Sequence, residues 1–418
     1  MTNTSYQTIS HKHRIGNQTS PRQSKKDGCK VALLLFALLV AAADSLSITI
    51  KPVRATSINT FMCKQDTTPS TSPDFTIGLL ADIQYAPIPD GFSYGGKPRY
   101  YRNALQVAKV AAQHFQDERV PLVVNLGDIV DGKCQEIQDN SHVTVDPGHV
   151  ALSHVMDALS AYQDGPILHA YGNHCLYNLD RPFLQTKLGI PFVQEPCGDW
   201  VGYFSHCFQK YRFIILDSYD IAKHRRCKTT SQKYKEAVSI LSQNNPNYPH
   251  AENSPEGLKG LDMRFVAFNG AVGPLQLEWL NQQLQECRDK EETAVILSHQ
   301  PILPGSSSPV CLIWNYDQVL DILRSNADVV AASFCGHAHK GSYKRDVVSG
   351  IHFRVFEAAL ENLDKTYAMI DFYSDRIHVR GYGSCESAVY DIDHLPVRKK
   401  ISLIEREQIE RSKGTIEA

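Results

Sequence analysis

The sequence predicts an α/β fold, and three observations lead there. Short apolar runs of strand length alternate with longer stretches whose apolar residues recur at three and four, the pattern of strands alternating with helices. The 418 residues are 42% apolar and 21% charged, an ordinary globular composition with material for a sizeable core. No internal repeat of fixed period occurs, which sets solenoids and propellers aside.

Residues 1–30 are rich in Ser, Thr, Lys, Arg and His, with Asp27 the only acid, and an apolar run comes next at 31–43. Those 13 residues fall short of the roughly 20 that a spanning helix needs, and fit the apolar region of a signal peptide ending in Ala41, Ala42 and Ala43. The basic lead-in is long for one, and a chain starting at Met62 would lack the segment. Two readings therefore stand: a cytoplasmic core, or a signal peptide, membrane anchor or organelle-targeting segment within 1–43. The sequons at Asn3 and Asn17 precede the run, so the chain beyond residue 43 carries no glycosylation signature. Residues 44–73 read as a polar linker, dense in Ser, Thr and Pro from Thr67 to Pro73.

The folded domain is predicted over 74–396, with a charged tail from 397. Runs at 75–80, 122–126, 167–170, 294–297 and 329–334 read as buried strands, each followed at once by polar or glycine-containing sequence, and 376–382 offers another. Helical spacing marks 103–117, 149–162, 274–286 and 316–324, and Pro274 suits a first helical position. The stretch 221–273 is rich in Lys, Arg, Asn, Pro and Gly and is helical in pattern over 234–241 alone. It reads as an irregular insertion over the core, a substrate-side flap.

The chemistry lies in five segments: Asp82-Ile83-Gln84, Gly127-Asp128-Ile129-Val130-Asp131-Gly132, Gly172-Asn173-His174, Ser298-His299 and Gly336-His337-Ala338-His339. Each comes closely after a predicted strand, and ligand sites of open α/β sheets lie beyond the carboxyl ends of strands, so the five form one rim of oxygen and nitrogen donors. Two divalent cations about 3.5–4 Å apart need one anionic bridge and about three further donors each. Asp128 suits the bridge, because a carboxylate has two oxygens and Gly127 lets the backbone turn out of the strand. His337 and His339 are two apart, so on an extended segment both rings point one way, one toward each ion.

Charge and cysteine content narrow the partners. A net charge of −2 from 43 basic and 45 acidic side chains, with no basic stripe, argues against nucleic acid and anionic membrane. Phosphate recognition must then be local. Eleven cysteines match neither a small disulfide scaffold nor a CxxC zinc site. Cys134, Cys175 and Cys335 sit in or beside the five segments, where oxidation is a hazard, which favours a reducing compartment.

The ordered set resembles the calcineurin-like metallophosphoesterase superfamily, whose pattern is D-x-H, G-D-x-x-D, G-N-H, H and G-H-x-H. The resemblance covers about 74–372 and implies a four-layer sandwich, two central mixed β-sheets flanked by helices. The chain departs at Gln84, where the family usually has His. ADIQYA at 81–86, RYYR at 99–102, GNH followed by Tyr177 and Asn178, and CGHAHKGSY at 335–343 are similar to the manganese-dependent ADP-ribose/CDP-alcohol diphosphatase branch, which carries Gln there. The resemblance implies one ion held by Asp82, Gln84, Asp128 and His339 and a second by Asp128, Asn173, His299 and His337. An amide oxygen is a harder, weaker donor than imidazole, which moves such a site toward Mn²⁺, with Mg²⁺ as the second choice. His174 is implied as the group that stabilises the transition state or protonates the leaving oxygen, with Asp131 orienting it. Cys175 departs from relatives that carry Asp or Glu after GNH, and reads as a small buried residue.

For the substrate, Tyr94, Tyr100 and Tyr101 interleave with Lys97, Arg99 and Arg102, a combination suited to stacking a base and neutralising a diphosphate, and Lys340 is a further phosphate candidate. With the resemblance, the expectation is hydrolysis of the pyrophosphate bond in a small nucleoside diphosphate substrate such as ADP-ribose or CDP-choline, releasing a nucleoside monophosphate. A phosphomonoesterase or a cyclic-nucleotide phosphodiesterase could use the same centre. A non-catalytic scaffold of the same fold is disfavoured, because no donor position is empty.

Overall fold

Strands of an α/β core, covered on both faces, are apolar throughout rather than alternating, and the predicted runs become such strands. The computed structural model describes residues 72–93, 95–136, 146–224, 231–363 and 365–396. The predicted N-terminal extension before residue 72 and the tail from 397 lie outside the described residues, as does Tyr94.

The chain opens with β1 (Phe75–Leu80), a ribbon of β2 (Gly91–Phe92) and β3 (Pro98–Arg99), α1 (Asn103–Asp117), β4 (Val123–Asn125), α2 (Pro147–Leu159), β5 (Ile167–His169), α3 (Asn173–Asn178) and α4 (Arg181–Leu188). It continues through a ribbon of β6 (Val193–Gln194) and β7 (Trp200–Val201), β8 (Phe204–Phe208), β9 (Tyr211–Ile215), α5 (Gln232–Asn244), α6 (Pro274–Asp289), β10 (Thr293–Leu297), α7 (Tyr316–Ser325) and β11 (Val330–Cys335). It closes with β12 (Ser342–Arg345), β13 (His352–Val355), β14 (Thr366–Phe372), β15 (Arg376–Gly383) and β16 (Ala388–Asp391).

Two six-stranded mixed sheets result, in the orders β16-β15-β14-β1-β4-β5 and β12-β13-β11-β10-β9-β8. In the first, β1, β4 and β5 run parallel, with Leu80 opposite Asn125 and Asn125 opposite His169. In the second, β9, β10, β11 and β13 run parallel. Between the sheets, Ile77, Leu79, Ile370 and Phe372 of one meet Phe213, Ile215, Val295, Leu297 and Phe334 of the other. Outside the first, α1 and α2 bury Ala108, Phe115, Leu152 and Val155 against Leu80 and Val123. Outside the second, α6 and α7 bury Leu280, Leu284, Val319 and Leu323 against Ile214 and Ile296. Each large side chain so buried contributes about 1.5–3 kcal/mol relative to exposure. The order is helix, sheet, sheet, helix, the expected four-layer sandwich.

Predicted and observed strands agree within about a residue, and local chemistry explains the helix that shifted. Asp146 caps α2 by accepting the Gly148 N–H at 2.8 Å, and Pro147 takes its first position, so it starts two residues before the predicted 149. Strands β8, β9, β12, β13, β14 and β16 of the two large sheets were not foreseen. Arg212 in β9 and Arg354 in β13 break the apolar runs, yet both are buried and paired, with Glu286, Glu292 and Gln283 in one case and Glu357 in the other.

The insertion is less irregular than its composition suggests. Helix α5, capped by Ser231, is longer than the predicted 234–241. Its Ala237 and Leu241 join Ile221, Ala267 and Ala271 in a small apolar cluster on Trp314. Among the described residues no helix is long and apolar enough to cross a membrane, and the run at 31–43 lies outside them.

Candidate metal centre

The five predicted segments leave the carboxyl ends of β1, β4, β5, β10 and β11 and meet at one rim. Five of the eight non-glycine residues with positive φ among the described residues are predicted ligands: Asp82 (49°), Gln84 (43°), Asp128 (52°), His337 (67°) and His339 (60°). Each such conformation costs on the order of 1–3 kcal/mol and clusters where function over-determines the backbone. The expectation that His337 and His339 sit on extended chain is corrected. The amide of Ala338 bonds the Gly336 carbonyl at 2.7 Å and that of Lys340 the Ala338 carbonyl at 2.6 Å, tight turns centred on the two histidines. Gly127, at φ 102°, turns the chain out of β4 as expected. At Gly172 a Cβ would stand 2.0 Å from Asp128 Oδ1, so glycine is required there.

Asp128 is the hub. The His174 backbone N–H donates to its Oδ1 at 2.8 Å, and Gln84 Nε2 donates to its Oδ2 at 2.9 Å. His299 Nε2 lies 3.2 Å from the same Oδ2 and 3.2 Å from His337 Nδ1. The ligand atoms of Asp128, His299 and His337 all fall within 4.8 Å of one another. On the other side, His339 Nε2 stands 3.5 Å from Asp82 Oδ1 and 2.9 Å from Gln84 Nε2. His299 Nδ1 meets the Leu126 carbonyl at 2.7 Å, which a protonated Nδ1 satisfies, so its Nε2 faces the cluster. The Gln84 amide turns its nitrogen to Asp128 and His339 while its oxygen accepts from Arg99 Nη1 at 3.2 Å. Rotating the amide by half a turn would offer the oxygen to a cation and leave Arg99 to Asp131, whose Oδ2 is 3.5 Å away.

The electrostatics describe a buried anionic nest. Burial opposes the charge of Asp128, but His299 and His174 hold its carboxyl well below the usual range. Burial raises Asp82 against the pull of His339 and His299. Burial likewise opposes the charge of His299, yet the Asp128 carboxylate pushes it up to about 9. His337, buried and beside His299, is held well below its ordinary value. Two carboxylates, Asp82 and Asp128, and a cluster of imidazole nitrogens converge in one buried volume. The donor set fits divalent cations.

His174 sits at the edge, its side chain 20% exposed. Two groups compete for its Nδ1: the Gly132 N–H at 2.9 Å and the Asp131 carboxylate at 3.2 Å. The shorter, aligned contact is with Gly132, so the proton of the neutral ring belongs on Nε2. Burial opposes its charge, but Asp128 and Asp131 raise its pKa above the ordinary imidazole value. Of the predicted substrate contacts, Arg99 reaches the cluster. Arg102 is exposed at the start of α1, and Lys340 is exposed just past His339. Tyr101 is buried in the core against α1 and cannot stack on a base, which corrects that part of the expectation. Cys175 is buried with the Ile129 N–H on its sulfur at 3.2 Å. Burial pushes Cys134 and Cys175 up to about 12, so both stay thiols.

Three residues were missed. Glu361 Oε1 bonds His339 Nδ1 at 2.9 Å, turning Nε2 to the cluster. The Tyr219 hydroxyl donates to Asn173 Oδ1 at 3.1 Å, and Asn269 Oδ1 lies 2.9 Å from His337 Nε2. None stands at a telling sequence distance from its partner. The Asn-Gly pair at 269–270 carries a turn signal, but nothing in it points to a histidine.

The calcineurin-like phosphoesterase family model matches residues 75–341. A protein of Oryza sativa subsp. japonica named manganese-dependent ADP-ribose/CDP-alcohol diphosphatase is 40% identical over 319 residues, 75% of this chain and 92% of that one. The protein of the same name from Homo sapiens is 34% identical over 324 residues, 74% of this chain and 90% of its own length. The crystal structure of a dimetal phosphatase from Danio rerio superposes with a TM-score of 0.69 at 33% identity, covering 77% of this chain and 100% of that one.

Proposed function

From the premise that this chain belongs to the calcineurin-like phosphoesterase family, we propose that it is a manganese-dependent hydrolase of the pyrophosphate bond in ADP-ribose and CDP-alcohols such as CDP-choline. The products are a nucleoside monophosphate and a phosphorylated sugar or alcohol. The observation that carries this reading is the convergence of Asp128, His299 and His337, whose ligand atoms lie within 4.8 Å of one another, beside a Gln84 that stands where the family usually has His and has the Arg99 guanidinium against it.

In this reading Asp82, Gln84, Asp128 and His339 would hold one ion, and Asp128, Asn173, His299 and His337 the other. Bound there, the pair supplies Lewis acidity to a phosphoryl group and lowers the pKa of water near it. The protein's own groups do the rest. Arg99, a fixed cation beside Gln84 and Asp131, binds a phosphate oxygen and neutralises charge on the diphosphate. His174 carries its proton on Nε2 and delivers it to the leaving oxygen; the Gly132 N–H on Nδ1 favours that tautomer, and the Asp131 carboxylate stabilises the charged ring.

Residues 74–396 form the catalytic domain in this reading, and its working place is a reducing, cytoplasmic one. The eight cysteines among the described residues are all free thiols, five of them buried in the cores or beside the centre at Cys134, Cys175, Cys287, Cys335 and Cys385, which supports that placement. The test is a panel: metal-stripped protein reloaded with Mn²⁺ is offered ADP-ribose, CDP-choline, a cyclic nucleotide and a phosphopeptide. AMP from the first and CMP from the second are expected. Turnover of the cyclic nucleotide or the phosphopeptide alone would overturn the assignment.

A further inference from the structure

A chain of hydrogen bonds with one possible polarity runs from the insertion into the centre. It begins at the Gly270 backbone, whose N–H donates to Gln300 Oε1 at 3.2 Å. That fixes the Gln300 amide, and its Nε2 donates to Asn269 Oδ1 at 2.7 Å. The Asn269 amide is fixed independently, because its Nδ2 donates to two backbone carbonyls, Arg264 at 2.9 Å and Val310 at 2.7 Å. Asn269 Oδ1 therefore has one lone pair left, and it faces His337 Nε2 at 2.9 Å. An oxygen so placed can only accept, so His337 Nε2 must carry the proton. The Nδ1 lone pair is then the one turned toward His299 Nε2, 3.2 Å away.

The segment that supplies Asn269 is held firmly. Ile221 and Ala271 exchange both backbone hydrogen bonds at 2.9 Å, and the Trp314 N–H donates to the Gly270 carbonyl at 2.8 Å. Asn269 itself is fully buried. Metal-binding histidines are commonly oriented through their second nitrogen by such a partner, and losing the partner typically costs about 10–100-fold in metal affinity.

We infer that Asn269 is a positioning residue for the metal centre: through Asn269, the 221–273 insertion locks His337 in the tautomer that offers Nδ1 to a cation. The inference rests on the dimetal reading of the site. It makes the insertion a structural part of the centre rather than a cover laid over it.

Two measurements on the full chain test it. In the metal-free wild type labelled with ¹⁵N-histidine, NMR should show His337 protonated at Nε2, the signal being identified by its loss in His337→Ala. Protonation at Nδ1 would overturn the inference without any variant at position 269. In calorimetric titration with Mn²⁺, the wild type should take up two ions. Asn269→Leu should lose about 10–100-fold in affinity for one ion and leave the other unchanged, whereas Trp314→Phe, which removes a hydrogen bond that steadies the insertion but leaves Asn269 facing His337, should stay within about threefold of wild type. Wild-type affinity in Asn269→Leu, or equal losses in both variants, sinks the role of Asn269 alone. A wild type that binds fewer than two Mn²⁺ sinks the dimetal reading itself.

Discussion

His174 has its Nδ1 claimed by the Gly132 N–H and the Asp131 carboxylate, which leaves Nε2 as the atom that can exchange a proton with a substrate. Its imidazole belongs to no predicted ligand set, so its removal separates chemistry from metal binding. His174→Ala should lower kcat by about 10²–10⁴-fold with Mn²⁺ content unchanged, measured as turnover beside bound metal per chain. Loss of the metal, or full turnover, would rule out the role. At this scale the sequence was highly legible, because each donor type is set by its own side chain and three of the five motifs open on a glycine. What stayed hidden were partners such as Glu361 and Asn269. They act through the second nitrogen of a histidine, and no spacing rule along the chain links 361 to 339 or 269 to 337.

Among the elements, the β12–β13 hairpin is pinned to α7 by one carboxylate. Asp346 accepts from Arg324 Nε and Nη2, each at 2.9 Å, and from Ser349 in its own turn. The Arg324 hydrogen bond, against the opposing effect of burial, holds the Asp346 carboxyl down at about 2, below its ordinary 3.8. Because the folded value is the lower one, the stabilisation is complete above about pH 4 and is lost as pH falls through about 2. Arg324 is partly exposed, so screening keeps the effect modest. Asp346→Asn should destabilise the protein by roughly 1–2 kcal/mol near neutral pH, read from urea midpoints. The gap from wild type should narrow steadily between pH 4 and pH 2, and a gap that stays constant over that range would refute the ion-pair account. Elements were legible where an apolar run was unbroken, as in β1 and β10. They were not where a buried arginine interrupted the run, as in β9 and β13, since only partners brought in from α6 or the loop after β13 make such a residue compatible with a core strand.

For the whole molecule, a centre built from the ends of five strands in two sheets ties metal binding to the fold. Cations that bind the folded chain alone stabilise it by mass action, about 2.7 kcal/mol per site at a hundredfold excess over Kd. Mn²⁺ should therefore raise the Tm of metal-stripped protein by several degrees, and a chelator should reverse the rise. An unchanged Tm across a saturating Mn²⁺ series would count against the centre. The sequence by itself determined the five polar segments, their order along the chain and their placement just past strands, because composition and period-two or helical patterning are local properties; the resemblance to the family is what marked Gln84 as a departure. Tertiary structure alone decided the left-handed backbone at five donor positions, the removal of Tyr101 into the core and the seating of Asn269 against His337. Those outcomes depend on which surfaces pack together across long stretches of chain, and that is an energy of the assembled sandwich rather than of any segment within it.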